Sequence, residues 1–137
     1  MKIGVPKEIQ PGEQRTALTP DVAAQFLKLG YTLAVESGTG IGAKFSDEQY
    51  RAAGVEIVPD AQTLWQTSDI IMKVRPPRDE EIAMMREGQV LVGFFWPAQN
   101  KDLMDKCAAK KVTVIAMDSI PRISRAQKCD ALSSMAN

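Results

Sequence analysis

The chain contains no histidine. That absence removes Ser-His-Asp and Cys-His nucleophile pairs, the common zinc sites and the usual general base near neutral pH. No metal centre is expected. Chemistry here must use Lys, Arg, Asp, Gln or Ser, or need no proton transfer. Charge of one sign is also lacking: 17 basic residues balance 17 acidic ones, for a formal net charge of zero. No basic field exists to collect nucleic acid or anionic lipid. Long apolar runs are missing too. The longest, Val90 to Trp96, falls far short of the roughly 20 residues of a membrane span. The opening Met1 to Pro6 lacks a signal-peptide apolar core, which implies a start in the cytosol. Cysteine is scarce, and Cys107 and Cys129 form no C-x-x-C, so both read as reduced structural thiols.

What is present suits one globular domain. At 137 residues, with 45% hydrophobic and 25% charged, the chain can bury a core. Its pattern alternates strand and helix. Lys2 to Val5 is a short strand stopped by Pro6. Thr19 caps a helix with Pro20 at its first position, Val22, Phe26 and Leu29 on its apolar face and Gly30 at its end. Tyr31 to Glu36 is a second strand, and Ser46 with Gln49 forms a capping box for a helix that Gly54 stops. Further strands follow at Val55 to Val58, Ile70 to Val74, Val90 to Phe95 and Val112 to Met117, the last a buried one. Helices fall between them near 61–66, 79–86 and from Asn100 to about 110. This alternation implies an α/β fold, three-layer α/β/α, with a mostly parallel sheet of flavodoxin-like or Rossmann-like type. It does not give the strand order. No repeat, linker or low-complexity segment divides residues 1–137.

Each candidate site has a bland counterpart. Gly38-Thr-Gly-Ile-Gly-Ala43 matches a relaxed dinucleotide fingerprint, yet Lys44 and Phe45 separate it from the next helix and the strand before it is the second. A plain glycine loop is the favoured reading. Arg15, after the first strand, and Lys73, near the end of the fourth, both belong at the carboxyl edge of a parallel sheet, where open α/β sheets bind ligands. A lysine within Ile-Ile-Met-Lys-Val needs a partner if buried, whereas Arg75 reads as solvated. Trp96 reads as core or rim, and Met84, Met85, Met104 and Met117 as core filler.

The closing stretch, Asp118 to Asn137, carries the densest polar pattern. Ser124 and Gln127 fit a capping box, and Gln127, Asp130, Ser133 or Ser134 and Asn137 recur at helical spacing, with Leu132 and Met135 beside them. Gln127 can be explained as a cap partner, Asp130 by the helix dipole and Arg122 as a solvated loop residue. The spacing predicts that the stretch ends in mid-helix, which suggests a piece of something larger.

These residues also carry a resemblance. Gly4-Val-Pro-Lys-Glu8, Arg15 to Pro20, Val35 to Gly40, Lys73-Val, Phe95 to Asn100, Met117 to Gln127 and Asp130 to Ser134 together resemble the alpha subunit of the proton-translocating NAD(P) transhydrogenases. The wider group includes alanine dehydrogenase. The last block is the most specific, while the first fits alanine dehydrogenase equally well. The resemblance implies hydride transfer from NADH, bound on this subunit, to NADP⁺ on a partner beta subunit, coupled to proton movement across the membrane. It implies that Arg122, Gln127, Asp130 and Ser133 hold and orient the nicotinamide and its ribose. Gln127 takes the catalytic role. Arg15 and Lys73 match the substrate-binding pair of alanine dehydrogenase, whose catalytic histidine has Trp96 at its place here.

Hydride transfer between two nicotinamides has no substrate proton to manage, so the lack of histidine fits the transhydrogenase and argues against an amino-acid dehydrogenase. The glycine fingerprint of the family's NAD-binding Rossmann domain is absent from residues 1–137. This implies an N-terminal subdomain fragment, soluble and inactive alone, that binds NADH weakly or not at all. The resemblance implies a parent that is a homo-oligomeric complex on the cytoplasmic side of the bacterial inner membrane. The alternatives are an alanine dehydrogenase subdomain and a stand-alone flavodoxin-like binding module.

Overall fold

A computed structural model describes residues 1–119. Six strands form one all-parallel sheet: β1 (Lys2–Val5), β2 (Thr32–Glu36), β3 (Glu56–Val58), β4 (Ile70–Met72), β5 (Val90–Gly93) and β6 (Thr113–Ala116). Their order is β3-β2-β1-β4-β5-β6. The topological switch therefore falls between β1 and β4, which pair through Ile3↔Ile70 and Gly4↔Ile71. Crevices at such switch points are where doubly wound sheets bind ligands.

Five helices connect the strands: α1 (Pro20–Lys28), α2 (Asp47–Ala52), α3 (Ala61–Thr67), α4 (Asp79–Ile82) and α5 (Lys101–Ala109). The expected caps are present. Thr19 accepts from Val22 N–H, and Ser46 and Gln49 complete a reciprocal capping box. Strand alternation sorts the layers. Ile3, Val5, Leu33 and Val35 pack with Leu18, Ala23 and Tyr50 on the face of α1 and α2. Gly4 and Ala34 turn the other way, toward α3. A Cβ on Gly4 would lie 2.0 Å from Ser68 Oγ, so only glycine lets α3 sit this close to β1. Trp65, Ile71, Leu91, Phe95 and Cys107 form a second cluster beneath α3 to α5. The sheet is thus covered as a three-layer Rossmann-like fold requires.

Several sequence expectations are corrected. The fourth strand ends at Met72, so Lys73 lies just past it, though Lys73 N–H still donates to Val92 O at 2.9 Å. The helix expected over 79–86 is the single turn α4. The chain then bends because Arg86 N–H donates to Gln89 Oε1 and the guanidinium reaches Ser68 O and Asp69. Leu29 is exposed at the α1 C-cap, and Ala23 and Leu27 pack in its place. The last strand is not buried. It lies at the sheet edge with Thr113 and Ile115 outward, so its apolar composition reflects pairing to β5 and not coverage on both faces. Cys107 is buried, and that burial pushes its thiol pKa up, consistent with an inert structural role.

Candidate functional site

The carboxyl edge of the sheet is organised by two glutamates that the sequence did not single out. Glu8 follows β1 and Glu81 lies on α4. Between them sits Lys73, whose Nζ is 3.0 Å from Glu8 Oε1 and 3.1 Å from Glu81 Oε2. All three side chains are at most 3% exposed. Glu8 also accepts from Val74 N–H at 2.9 Å and Arg75 N–H at 3.1 Å, fixing the turn after β4. Glu81 Oε1 accepts from Arg78 N–H at the start of its own helix. Burial pushes the Glu81 carboxyl above its ordinary value, opposed by the Lys73 charge. The lysine's need for a buried partner was legible. Its partners were not, because they lie 65 residues away and 8 residues on.

Arg15 is held separately. Its guanidinium grips Glu13 with two hydrogen bonds, Nε to Oε2 at 2.9 Å and an Nη2 donation to Oε1 at 2.8 Å. Arg75 is not simply solvated: its Nε donates to the same Glu13 Oε1 at 2.8 Å. The Arg15 hydrogen bond is the main force holding the Glu13 carboxyl well below its ordinary 4.5, at about 2. A depressed pKa contributes stability above the unfolded value that is lost as pH falls toward the folded one. Both arginines are partly exposed, so screening reduces the effect. Glu13→Gln is expected to cost about 1–2 kcal/mol at pH 7, shrinking below the ordinary 4.5 and vanishing as pH falls through about 2. Urea melts across that range check it.

Arg15 and Lys73 do not line one cavity. Arg15 borders a polar recess of about 130 Å³ with Lys7, Glu8, Gln14 and Thr39. Lys73 lies at the end of an apolar recess of about 170 Å³ over the switch point, walled by Ile3, Phe26, Met72, Val92 and Met117.

The glycine loop is not arranged as a phosphate cradle. Gly38 N–H already donates to Asp47 Oδ1 at 3.0 Å, and Ser37 Oγ to Asp47 Oδ2 at 2.6 Å. A carboxylate of the chain itself thus occupies the anion position. A Cβ on Gly40 would lie 2.7 Å from the Tyr50 ring, so this glycine serves packing.

Trp96 stands at the rim. It is 38% exposed, has φ +43° and packs tilted against Phe94, with ring centroids 6.3 Å apart. Asp118 accepts from both Phe95 N–H and Trp96 N–H, at 2.9 and 2.8 Å. Asn100 makes no side-chain cap to α5. Its amide donates to Phe95 O at 2.8 Å and Trp96 O at 3.3 Å. A groove of about 380 Å³ runs from Trp96 past Pro76, Pro77 and Arg78 to Leu103. Among the described residues no group of acidic or cysteine side chains is placed to hold a metal, and no helix is long and apolar enough to cross a membrane. The candidates Arg122, Gln127, Asp130 and Ser133 lie outside the described residues.

A family model described as alanine dehydrogenase/PNT, N-terminal domain, matches residues 4–137. The chain belongs to that family. Within it, the chain is 57% identical to the NAD(P) transhydrogenase subunit alpha of Cereibacter sphaeroides and 54% identical to that of Haemophilus influenzae, over its whole length in both cases. It spans 26% of each of these relatives. The solved transhydrogenase from Sinorhizobium meliloti matches 98% of the chain, and 40% of its own, at 34% identity and a TM-score of 0.88. As an alanine dehydrogenase/PNT N-terminal domain, the chain has the expected Rossmann-like α/β fold.

Proposed function

We propose that this domain is the nicotinamide-facing part of a transhydrogenase alpha subunit, taking part in hydride transfer between NADH and NADP⁺ coupled to proton translocation. The observation that carries this reading is the state of the two cations at the sheet edge. Lys73 is enclosed by Glu8 and Glu81, and Arg15 is bound in bidentate fashion to Glu13. An amino-acid dehydrogenase needs such cations free to hold a substrate carboxylate, and needs an acid/base group for imine chemistry. This chain has no histidine to supply one. Transfer between two nicotinamide rings asks only that the rings be oriented at near-attack distance. Identity above 50% over the whole of this chain, which spans 26% of each alpha subunit, supports the same reading.

In this proposal Arg122, Asp130 and Ser133 hold the cofactor and Gln127 orients the nicotinamide. NAD(H) is bound together with the remainder of an alpha subunit, and NADP(H) belongs to a partner beta subunit. The parent is a homo-oligomeric complex at the cytoplasmic side of the inner membrane. The 137-residue chain by itself is inactive, and calorimetry should detect little NADH binding. Micromolar affinity would contradict this.

The activity test uses a hybrid in which this chain replaces the matched region of the Haemophilus influenzae alpha subunit, assembled with its complex. Gln127→Asn should slow hydride transfer about tenfold with NADH affinity within about twofold. An unchanged rate would return Gln127 to its capping role. Pyruvate-dependent NADH oxidation by the hybrid would favour the alanine dehydrogenase reading.

A further inference from the structure

One ammonium, Lys73, faces two carboxylates, Glu8 and Glu81, so the group has one negative charge in excess when all three are ionised. All three side chains are buried, and an excess charge in such a place is relieved when one carboxyl keeps a proton. The hydrogen bonds distinguish the two candidates. Glu8 accepts from Lys73 Nζ at 3.0 Å and from two backbone groups, Val74 N–H at 2.9 Å and Arg75 N–H at 3.1 Å, all of which favour its ionised form. Glu81 has the Lys73 contact at 3.1 Å but one backbone donor, Arg78 N–H at 3.0 Å. Burial outweighs those contacts and pushes the Glu81 carboxyl above its ordinary 4.5.

We propose that Glu81 is a proton-uptake site, and that docking of the α4 turn against the sheet edge binds one proton. α4 is a single turn between Pro76-Pro77 and the bend at Arg86, a short unit of the kind that opens locally. Glu81 is its link to Lys73, and Ile82 its anchor in the cluster with Trp65 and Ile71. When α4 lifts, Glu81 meets water and becomes an ordinary carboxyl. A group that holds its proton more tightly docked than free favours docking at low pH, so docking weakens as pH rises above 4.5 through the docked value. The wall formed by Pro76, Pro77, Arg78 and Ile82 then opens the groove beside Trp96. The other charges nearby do not reproduce this. Asp79 and Glu80 face solvent, against Lys106 of α5 and Arg78. Glu13, bound by Arg15 and Arg75, ionises at about 2 and stays charged. Glu36, at the end of β2, is also raised by burial, and substitution of Glu81 separates the two.

Hydrogen exchange in the 137-residue chain tests the coupling. The amides of Ile82 and Ala83, bonded to Arg78 O and Asp79 O, report the opening of α4. Corrected for the intrinsic pH dependence of exchange, their opening constant should rise by at least about threefold from pH 4.5 to pH 7. Glu81→Gln keeps the capping geometry and cannot titrate, so the rise should shrink to less than about 1.5-fold. That variant should be at least as stable as the parent in urea at pH 7. Glu8→Gln should be less stable, because its NH₂ would face a backbone N–H. A carbon-13 titration of the Glu81 carboxyl reads the proton itself and should have its midpoint above 4.5. A midpoint at or below that value overturns the proposal. So does a rise in opening that survives in Glu81→Gln, which would assign it to Glu36. A Glu81→Gln chain that is less stable than its parent, or unfolded, overturns it too, since the fold would then need the ionised form.

Discussion

Replacing Lys73 by methionine is expected to destabilise the fold by about 3–5 kcal/mol at neutral pH, read as a lower urea midpoint. The side chain is of similar length, so little packing is lost. What is lost is the only ammonium between two carboxylates that are at most 3% exposed. Both would then be buried without a cationic partner, and removal of one member of a buried ion group is among the most costly single changes. The pH dependence has a definite sign. In the variant, burial keeps the folded pKa of Glu81 above the unfolded value, with no Lys73 charge left to oppose it. The deficit is then smallest below that unfolded value, and stability falls as pH rises through the folded one. A second change, Glu81→Gln, should return part of the loss, because it removes one of the stranded charges. A Lys73→Met chain as stable as the parent at pH 7 would show that water reaches the triad.

Phe95→Ala should cost a similar amount, about 3–5 kcal/mol, while Trp96→Gly changes stability by no more than about 1 kcal/mol. The residues are neighbours with opposite roles. Phe95 is 1% exposed and belongs to the cluster with Ile71, Leu91 and Cys107, so its removal opens a cavity beneath α5. Trp96 gives up partial contact with Phe94, but glycine relieves the cost of φ +43°. Denaturant melts of the two variants separate these outcomes. A large loss from Trp96→Gly would mean that the indole supports the fold and is not simply displayed by it.

Much of the fold was legible because its signals are local. Pro20 after Thr19, the Ser46/Gln49 box and the glycines at 30 and 54 each decide their own turn of chain, and the structure has all of them in place. The strand order was not legible, since a switch between β1 and β4 depends on contacts across about 70 residues. A similar separation hid Glu8, and Glu81 sits in a helix whose placement against Lys73 is set by the fold. Lys73 advertised that it needed a partner, but nothing near it named Glu8 or Glu81. Arg15 and Arg75 each looked free because Glu13, which serves both, is ordinary in sequence. Asn100 occupies a cap position, yet its side chain turns back to the loop before it. Local pattern specifies where a helix starts more reliably than what its first polar residue holds.

The edge position of β6 bears on how this chain behaves when handled at high concentration. Its run Val112-Thr-Val-Ile-Ala116 is β-branched, uncharged and free of proline, and one side of the strand has no partner among the described residues. Such a segment is a template for strand addition by another molecule, and so for cross-β aggregation. Lys110 and Lys111 before it and Asp118 after it stand where charged residues that flank such strands oppose that process. Removing the lysine charges by acetylation, or screening them with high salt, should lower solubility before it lowers fold stability, which turbidity and a denaturant melt read separately.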